Sequence, residues 1–287
     1  MIEQYKKEIT AEHKLFDFHL NEIIQYRDLI FLFVKRDFTS KYKQTILGPL
    51  WAVIQPLMST IVFLIVFGRM ANLTIADIPG NFQLPKLLFY MSGNILFIYF
   101  SSTFEATTRV FLTNRSIMGK VYYPRLISPI SIAISQLIPF VIHLVMFLLL
   151  WLFYVIKGGT SIVITGWLFM LPLIVLQLIL FSVGFGLMVS AFTTRYRDLL
   201  MLVGFGLEIL RYFCPVAYGL ELVPLNLRSL YLFNPLAVMI TSFRYAFFGF
   251  GFFDLSKYMI SWIITLVILL IGLIFFNKTE RNFMDII

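Results

Sequence analysis

The sequence has 287 residues, 60% of them hydrophobic and 13% charged, against roughly 45–50% and about 25% in soluble domains. With a mean hydropathy of +0.88, this apolar surface exceeds what a soluble core hides, so lipid must be the solvent. Disordered, collagenous and soluble nucleic-acid-binding classes are excluded despite a net charge of +8. The single cysteine, Cys214, rules out a disulfide framework or a cysteine-built metal site. His13, His19 and His143 hold no metal-binding spacing, so no metal is expected.

Residues 1–25 form a cytoplasmic extension to which no function attaches. From 26 to 43, Leu29, Ile30, Phe33, Val34 and Phe38 recur at helical spacing, interleaved with Arg27, Lys35, Arg36, Lys41 and Lys43. That pattern predicts an amphipathic helix in the interfacial plane, either a basic anchor to anionic lipid or a scaffold that meets a partner. The first apolar 20-mer begins near Ile46, so no cleavable signal peptide is expected.

A bilayer core of about 30 Å needs about 20 apolar residues in a helix. Stretches 47–68, 87–104, 126–156, 158–194 and 258–277 meet that need, with a break at Gly158-Gly159-Thr160 between the third and fourth. A fifth span in chain order is expected from Leu199 to Cys214, which gives six in all. Of the 23 Lys and Arg, 16 fall before Ile46, between 109 and 125, at Arg195 and Arg197, and at Lys278 and Arg281. By the positive-inside rule those segments and both termini are cytoplasmic. The basic charge is then a topology signal and needs no nucleic-acid partner.

Three further features carry candidate function. The segment 113–124, with Asn114, Arg115, Lys120, Tyr122, Tyr123 and Pro124, reads as a plain polar loop or a short exposed helix that receives force. Glu208 and Arg211 lie three apart on one helix face and are expected to neutralise each other inside the membrane. Between 214 and 251, Pro215, Pro224 and Pro235 with Gly219, Gly249 and Gly251 break any straight span, while Arg228 and Arg244 sit among rings. Irregular backbone at membrane depth survives only when buried in protein or facing a wet cavity. Two half-helices, 215–222 and 235–248, forming a lid satisfy that rule; an ordinary outer loop is the alternative.

Aromatic residues make up 17% of the chain. Trp51, Trp151, Trp167 and Trp262 are expected in the interfacial belt. Mid-span Phe is expected to face lipid, with a conduit lining as the minority role. His143 is expected to be hydrogen-bonded in packing, and Glu105 to reach water. No G-x-x-x-x-G-K-[ST] occurs, since Gly119-Lys120 runs into Val121, so the chain has no P-loop of its own. No paired carboxylates or H-E-x-x-H support catalysis, and no Asp/Glu/His relay supports a proton-driven carrier.

Three stretches together resemble a known family. Lys41-Tyr42-Lys43-Gln44-Thr45-Ile46-Leu47-Gly48-Pro49-Leu50-Trp51, continuing through Gln55-Pro56 to Phe67-Gly68-Arg69, resembles the start of span one in polysaccharide-exporting ABC permeases. Lys120-Val121-Tyr122-Tyr123-Pro124-Arg125 through Pro129 resembles their cytoplasmic loop. Pro215-Val216-Ala217-Tyr218, Leu232-Phe233-Asn234-Pro235 and Phe243-Arg244 resemble their outer gate.

The resemblance implies an all-α polytopic membrane protein of six transmembrane helices, with an N-terminal amphipathic interface helix and re-entrant periplasmic gate helices before the last span. It divides the chain into an interface helix (26–46), a type-2 ABC transmembrane domain (47–277, gate 213–250) and a cytoplasmic tail (278–287). It assigns Arg27, Phe33, Lys35, Arg36 and Phe38 to the interface helix, and Asn114, Arg115, Lys120, Tyr122, Tyr123, Pro124 and Arg125 to ATPase coupling. Pro215, Tyr218, Asn234, Pro235 and Arg244 go to the periplasmic gate. It also implies a homodimer in the bacterial inner membrane with two separate P-loop ATPase subunits that carry the ATP and Mg. The substrate would be an undecaprenyl-diphosphate-linked glycan such as O antigen, capsule or teichoic acid. A drug or lipid permease of the same type, and a membrane-embedded glycosyl- or acyltransferase, are the alternatives.

Overall fold

A computed structural model describes residues 20–43, 45–70, 85–157, 166–249, 251 and 253–286. The N-terminal extension up to residue 19 and the expected break at 158–160 lie outside the described residues. Every regular element among the described residues is helical. In chain order these are α1 (Leu20–Gln25), α2 (Arg27–Tyr42), α3 (Trp51–Phe63), α4 (Lys86–Thr108), α5 (Val110–Thr113) and α6 (Arg115–Met118). There follow α7 (Ile127–Lys157), α8 (Leu171–Thr193), α9 (Leu199–Phe213), α10 (Leu225–Leu232), α11 (Pro235–Phe248) and α12 (Leu255–Ile286).

Five stretches are long and apolar enough to cross a membrane: Gly48–Gly68, Lys86–Thr108, Ile127–Lys157, Gly166–Thr193 and Leu255–Thr279. They coincide with five of the expected spans. The remaining one, expected over 199–214, is the 15-residue α9. At 1.5 Å per residue it reaches about 22 Å, short of an apolar core about 30 Å thick.

Helix α4 is the axis of the bundle and touches α3, α7, α8, α9 and α11. Of residues 88–100 only Ile98 is not buried. Its polar side chains turn inward because lipid cannot hydrogen-bond them. Asn94 donates from Nδ2 to Ser59 Oγ at 2.5 Å and to Thr60 Oγ1 at 3.2 Å, which ties α4 to α3. Helix α3 is irregular at both ends, entered by a 3-10 turn (Gly48–Leu50) and continued by a π-helical turn (Leu64–Met70). In its middle, Pro56 has no N–H to offer the Ala52 carbonyl. His143 Nε2, 2.6 Å away on α7, donates to that carbonyl instead, so the histidine serves packing, as expected.

The α8–α12 contact is the most extensive in the bundle. A Cβ built on Gly184 would sit 2.6 Å from Leu269 Cα, and one on Gly272 would overlap the Gly184 carbonyl oxygen. Only hydrogen fits at this crossing, the small-residue solution for membrane helices. Gln177 Nε2 donates across the same pair to Ser261 Oγ at 2.8 Å.

The rings differ from expectation. Phe100, Phe104, Phe181 and Phe185 stack between α4 and α8, with centroids 4.8 Å apart for Phe104–Phe185 and 5.4 Å for Phe100–Phe181. They fill the interior rather than face lipid, because a flat ring packs densely where two helices lie close. Trp151 is likewise buried and donates to the Phe247 carbonyl at 3.0 Å, so its ring packs inside the protein; Trp51 stays exposed.

The irregular and short elements gather at two ends of the bundle. Helices α1, α2, α5 and α6 gather where α4 finishes and α7 begins, and Phe276 of α12 stacks on Phe111 there at 4.7 Å. Residues 214–248 gather at the other end, where α4 and α12 begin. Replacing Gly272 with Leu should cost about 1–3 kcal/mol through overpacking. Thermal unfolding in detergent should show the loss, while Gly204→Leu, a site with open space around it, should not.

Candidate functional site

At the end where residues 214–248 gather, α11 is bounded by its own sequence. Asn234 Oδ1 accepts from the Leu236 N–H at 3.1 Å, Pro235 takes the first helical position, and Gly249 ends the helix at φ 72°. Within it, Arg244 is 4% exposed, yet no carboxylate lies within ion-pairing distance among the described residues. Its charge is held by the backbone. Nη2 donates to the Val216 carbonyl at 2.7 Å and the Phe89 carbonyl at 3.3 Å. Nη1 reaches the Tyr218 carbonyl at 3.0 Å, Nε reaches Ser92 Oγ at 3.2 Å, and the Phe89 ring centroid lies 3.7 Å from the guanidinium carbon. One side chain thus joins α11, α4 and the 216–218 segment. Gly93 makes room, since a Cβ there would come within 2.8 Å of Arg244 Nη2 and 3.0 Å of Val216 Cα.

This arrangement corrects the expected half-helix at 215–222. Cys214 is extended (ψ 143°), and the Val216 and Tyr218 carbonyls are spent on Arg244 rather than on N–H groups four residues on. Only a single turn, Leu220–Leu222, forms there. The helix comes later, as α10, after Pro224, and Arg228 donates to the Glu221 and Val223 carbonyls just before it. The second half-helix, Pro235–Phe248, is present as expected. Tyr218 donates its hydroxyl to the Tyr212 carbonyl at 2.7 Å, and Asn234 Nδ2 points to Cys214 Sγ at 3.4 Å. The structure therefore brings Pro215, Tyr218, Asn234, Pro235 and Arg244 to one end of the bundle.

The expected Glu208–Arg211 ion pair does not form. Glu208 is exposed, and Arg211 lies over the Phe97 ring at 5.0 Å, with no contact between the two charges within 4.0 Å. Three-residue spacing permits the pair, but the α4 ring draws the guanidinium inward. Glu105, by contrast, is half-exposed and pairs with Arg109 at 2.9 Å.

At the opposite end, α2 packs along α7. Its charged and apolar residues are not segregated: Phe31 and Leu32 are exposed beside Arg27 and Lys35, while Arg36 and Asp37 turn inward and pair at 2.8 Å. Strict amphipathicity gives way to a specific joint. Arg36 lies 4.5 Å over the Phe33 ring and donates from Nη1 to Asn114 Oδ1 at 3.0 Å. Phe33 meets Tyr123 edge-on at 5.6 Å, and the Tyr123 hydroxyl contacts Ser128 Oγ at 3.1 Å. Phe38 lies 4.9 Å from Tyr42.

Asn114 is 2% exposed, and its Nδ2 donates to the Val110 carbonyl at 3.1 Å. With Tyr123 and Pro124, it belongs to the buried side of the 114–125 segment; Arg115, Lys120 and Tyr122 form the exposed side, and Arg125 is half-buried. The expected short helix is the single turn α6. The Arg36–Asn114 contact joins residues 78 apart, and no local pattern signals it.

The family model for the ABC-2 type transporter matches residues 28–248, from α2 to the last residue of α11. The chain belongs to the ABC-2 type transporter family. It is 24% identical over 260 residues to the O-antigen export system permease protein RfbA of Klebsiella pneumoniae, covering 91% of this chain and 95% of that protein. It is 25% identical over 268 residues to RfbA of Myxococcus xanthus, covering 93% and 98%. To the polysialic acid transport protein KpsM of Escherichia coli it is 27% identical over 252 residues, covering 86% and 91%. The region matched in this ABC-2 chain contains both the Arg244 cluster and the Arg36–Asn114 joint.

Two consequences can be measured. Arg244→Met leaves the Val216 and Tyr218 carbonyls without their donor, at about 1–3 kcal/mol each. Cys214, the single cysteine, is fully buried beside this cluster, so its maleimide labelling should accelerate at least tenfold in that variant. For the absent ion pair, a double-mutant cycle on Glu208→Gln and Arg211→Gln should give a coupling of under about 0.5 kcal/mol; a larger value would restore the pair.

Proposed function

We propose that this chain is the channel-forming permease subunit of an ABC exporter that moves a lipid-linked polysaccharide across the bacterial inner membrane. The observation that carries this reading is agreement along the chain: relatives named for O-antigen export and polysialic acid transport align over roughly nine-tenths of its length. The carrier is an undecaprenyl-diphosphate-linked glycan. ATP and Mg act on a separate P-loop ATPase, present in two copies beneath a homodimer of this chain.

The six-span topology with both termini cytoplasmic is part of the proposal. It is supported by parity: α8 ends beside Thr108, where Thr193 Oγ1 donates to the Thr108 carbonyl at 2.6 Å, whereas α12 begins at the gate end. The chain between them must change ends, and α9 is the segment that does so. Because α9 is short, residues 214–217 complete the crossing inside protein, where irregular backbone is tolerated.

Force enters at the exposed side of 114–125, around Arg115, Lys120 and Tyr122. It passes through Asn114 and Arg36 to α2, and through α4 to Arg244 at the far end. Arg244 holds the 216–218 segment against α4, so relative movement of α4 and α11 displaces the gate as a unit. Glycan then advances between the two protomers.

Lys120→Glu combined with Tyr122→Ala should reduce co-purification of the ATPase at least tenfold and suppress surface glycan, with thermal stability unchanged. Asn114→Ala should lower stability instead, because it leaves Arg36 without its amide partner. Wild-type ATPase retention in the Lys120/Tyr122 variant would exclude the coupling assignment.

A further inference from the structure

Between α2 and the α4–α7 pair lies a cleft of about 290 Å³. Its lining sets three cations, Arg36, Lys41 and Arg109, against one carboxylate, Asp37. Two of the cations already have acid partners: Arg36 holds Asp37 at 2.8 Å, and Arg109 is held through Nη2 by Glu105 at 2.9 Å from the rim. Lys41 has none within 4.0 Å among the described residues, so the cluster carries one uncompensated positive charge. Lys41 stays exposed, so an anion can reach it, and the part of it that is covered pulls the ammonium below the ordinary lysine range, which an anion in the cleft would oppose.

Uncharged donors complete the lining. The side chains of Thr113, Ser135 and Gln136 face the cleft and hydrogen-bond to nothing else among the described residues. A cleft of this kind suits several phosphate oxygens at once, because charge-assisted and neutral donors surround one volume. Its other wall is apolar, with Phe38, Tyr42, Ile132 and Pro139, and continues up α7 into the membrane-crossing stretch. A ligand with an anionic head and a hydrocarbon tail matches both halves; a free polar anion matches only one.

We propose that this cleft binds the diphosphate headgroup of a membrane lipid, with Lys41 and Arg109 as its principal contacts. On the export reading of the preceding subsection, which this deepens, it is where the lipid carrier of the glycan is first held. Arg36 organises the cleft and orients Asp37, while Lys41 and Arg109 approach from opposite walls, on α2 and at the end of α4. The site sits beside the Arg36–Asn114 joint, so headgroup occupancy and force transmission share a side chain.

The test uses the full-length chain in phosphatidylcholine nanodiscs, scored by native mass spectrometry with added undecaprenyl diphosphate. The wild type should retain one lipid per chain, and Lys41→Gln and Arg109→Gln should each weaken retention about tenfold, as loss of a charge-assisted contact does. Inorganic diphosphate at millimolar concentration should displace the lipid. Equal retention in the Lys41→Gln/Arg109→Gln double variant, equal retention of phosphatidylglycerol, or no displacement by inorganic diphosphate would overturn the assignment. Export of surface glycan, scored separately in cells lacking the chain, distinguishes the two readings. Loss of export with variant-insensitive binding rejects the cleft alone, whereas intact export with variant-sensitive binding rejects only the export role.

Discussion

A charge taken out of water must be solvated by whatever surrounds it, and at Arg244 the protein supplies backbone carbonyls instead of a carboxylate. That choice shapes everything near it. The carbonyls of Val216 and Tyr218 cannot both serve a helix and receive the guanidinium, so the chain after α9 stays irregular and its helix is postponed to α10. The guanidinium in turn needs the Phe89 carbonyl and Ser92 on α4, and the close approach that Gly93 permits. Because α4 is also the axis on which α3, α7 and α8 pack, this end of the bundle is fixed to the most buried of the five long apolar helices.

The high aromatic content has a packing explanation. The stacked rings of α4 and α8, with Phe147, Phe243 and Phe247 around Trp151, fill the space between helices with flat, dense side chains. Helix association in lipid draws little on a hydrophobic driving force and rests on contact quality. Ring stacks and the glycine crossing of α8 on α12 are two ways to obtain it. The exposed apolar residues of α3, α7 and α12 then face the hydrocarbon.

What the sequence makes legible here is whatever depends on local composition. Uncharged runs marked five of the spans; Asn234-Pro235 and Gly249 marked both ends of α11. The helical spans followed from uncharged runs of about 20 residues, the length a helix needs to cross the apolar core. What stayed hidden depends on pairing across the fold. Glu208 and Arg211 share a helix face, but a ring on another helix decides where the arginine points. Asn114 reads as a loop residue until Arg36, 78 positions away, is placed on it. Trp151 reads as a ring exposed at the lipid interface until its indole N–H is found donating to the Phe247 carbonyl inside the protein. Each miss is a tertiary partner overriding a reasonable local inference, and at Tyr218 and Arg244 the same override creates the candidate gate.

Helix α3 has an additional consequence. Its hydrogen-bond ladder is tightened at the start, interrupted at Pro56 and widened at the end, and His143 from α7 replaces the one backbone bond that proline removes. A helix so built is pre-cut. Bending it at Pro56 sacrifices a single side-chain contact, whereas bending the regular α4 would break several backbone bonds in a buried setting. Of these two helices α3 is therefore the compliant wall and α4 the rigid one, and a displacement toward the lipid costs less along α3 than along α4.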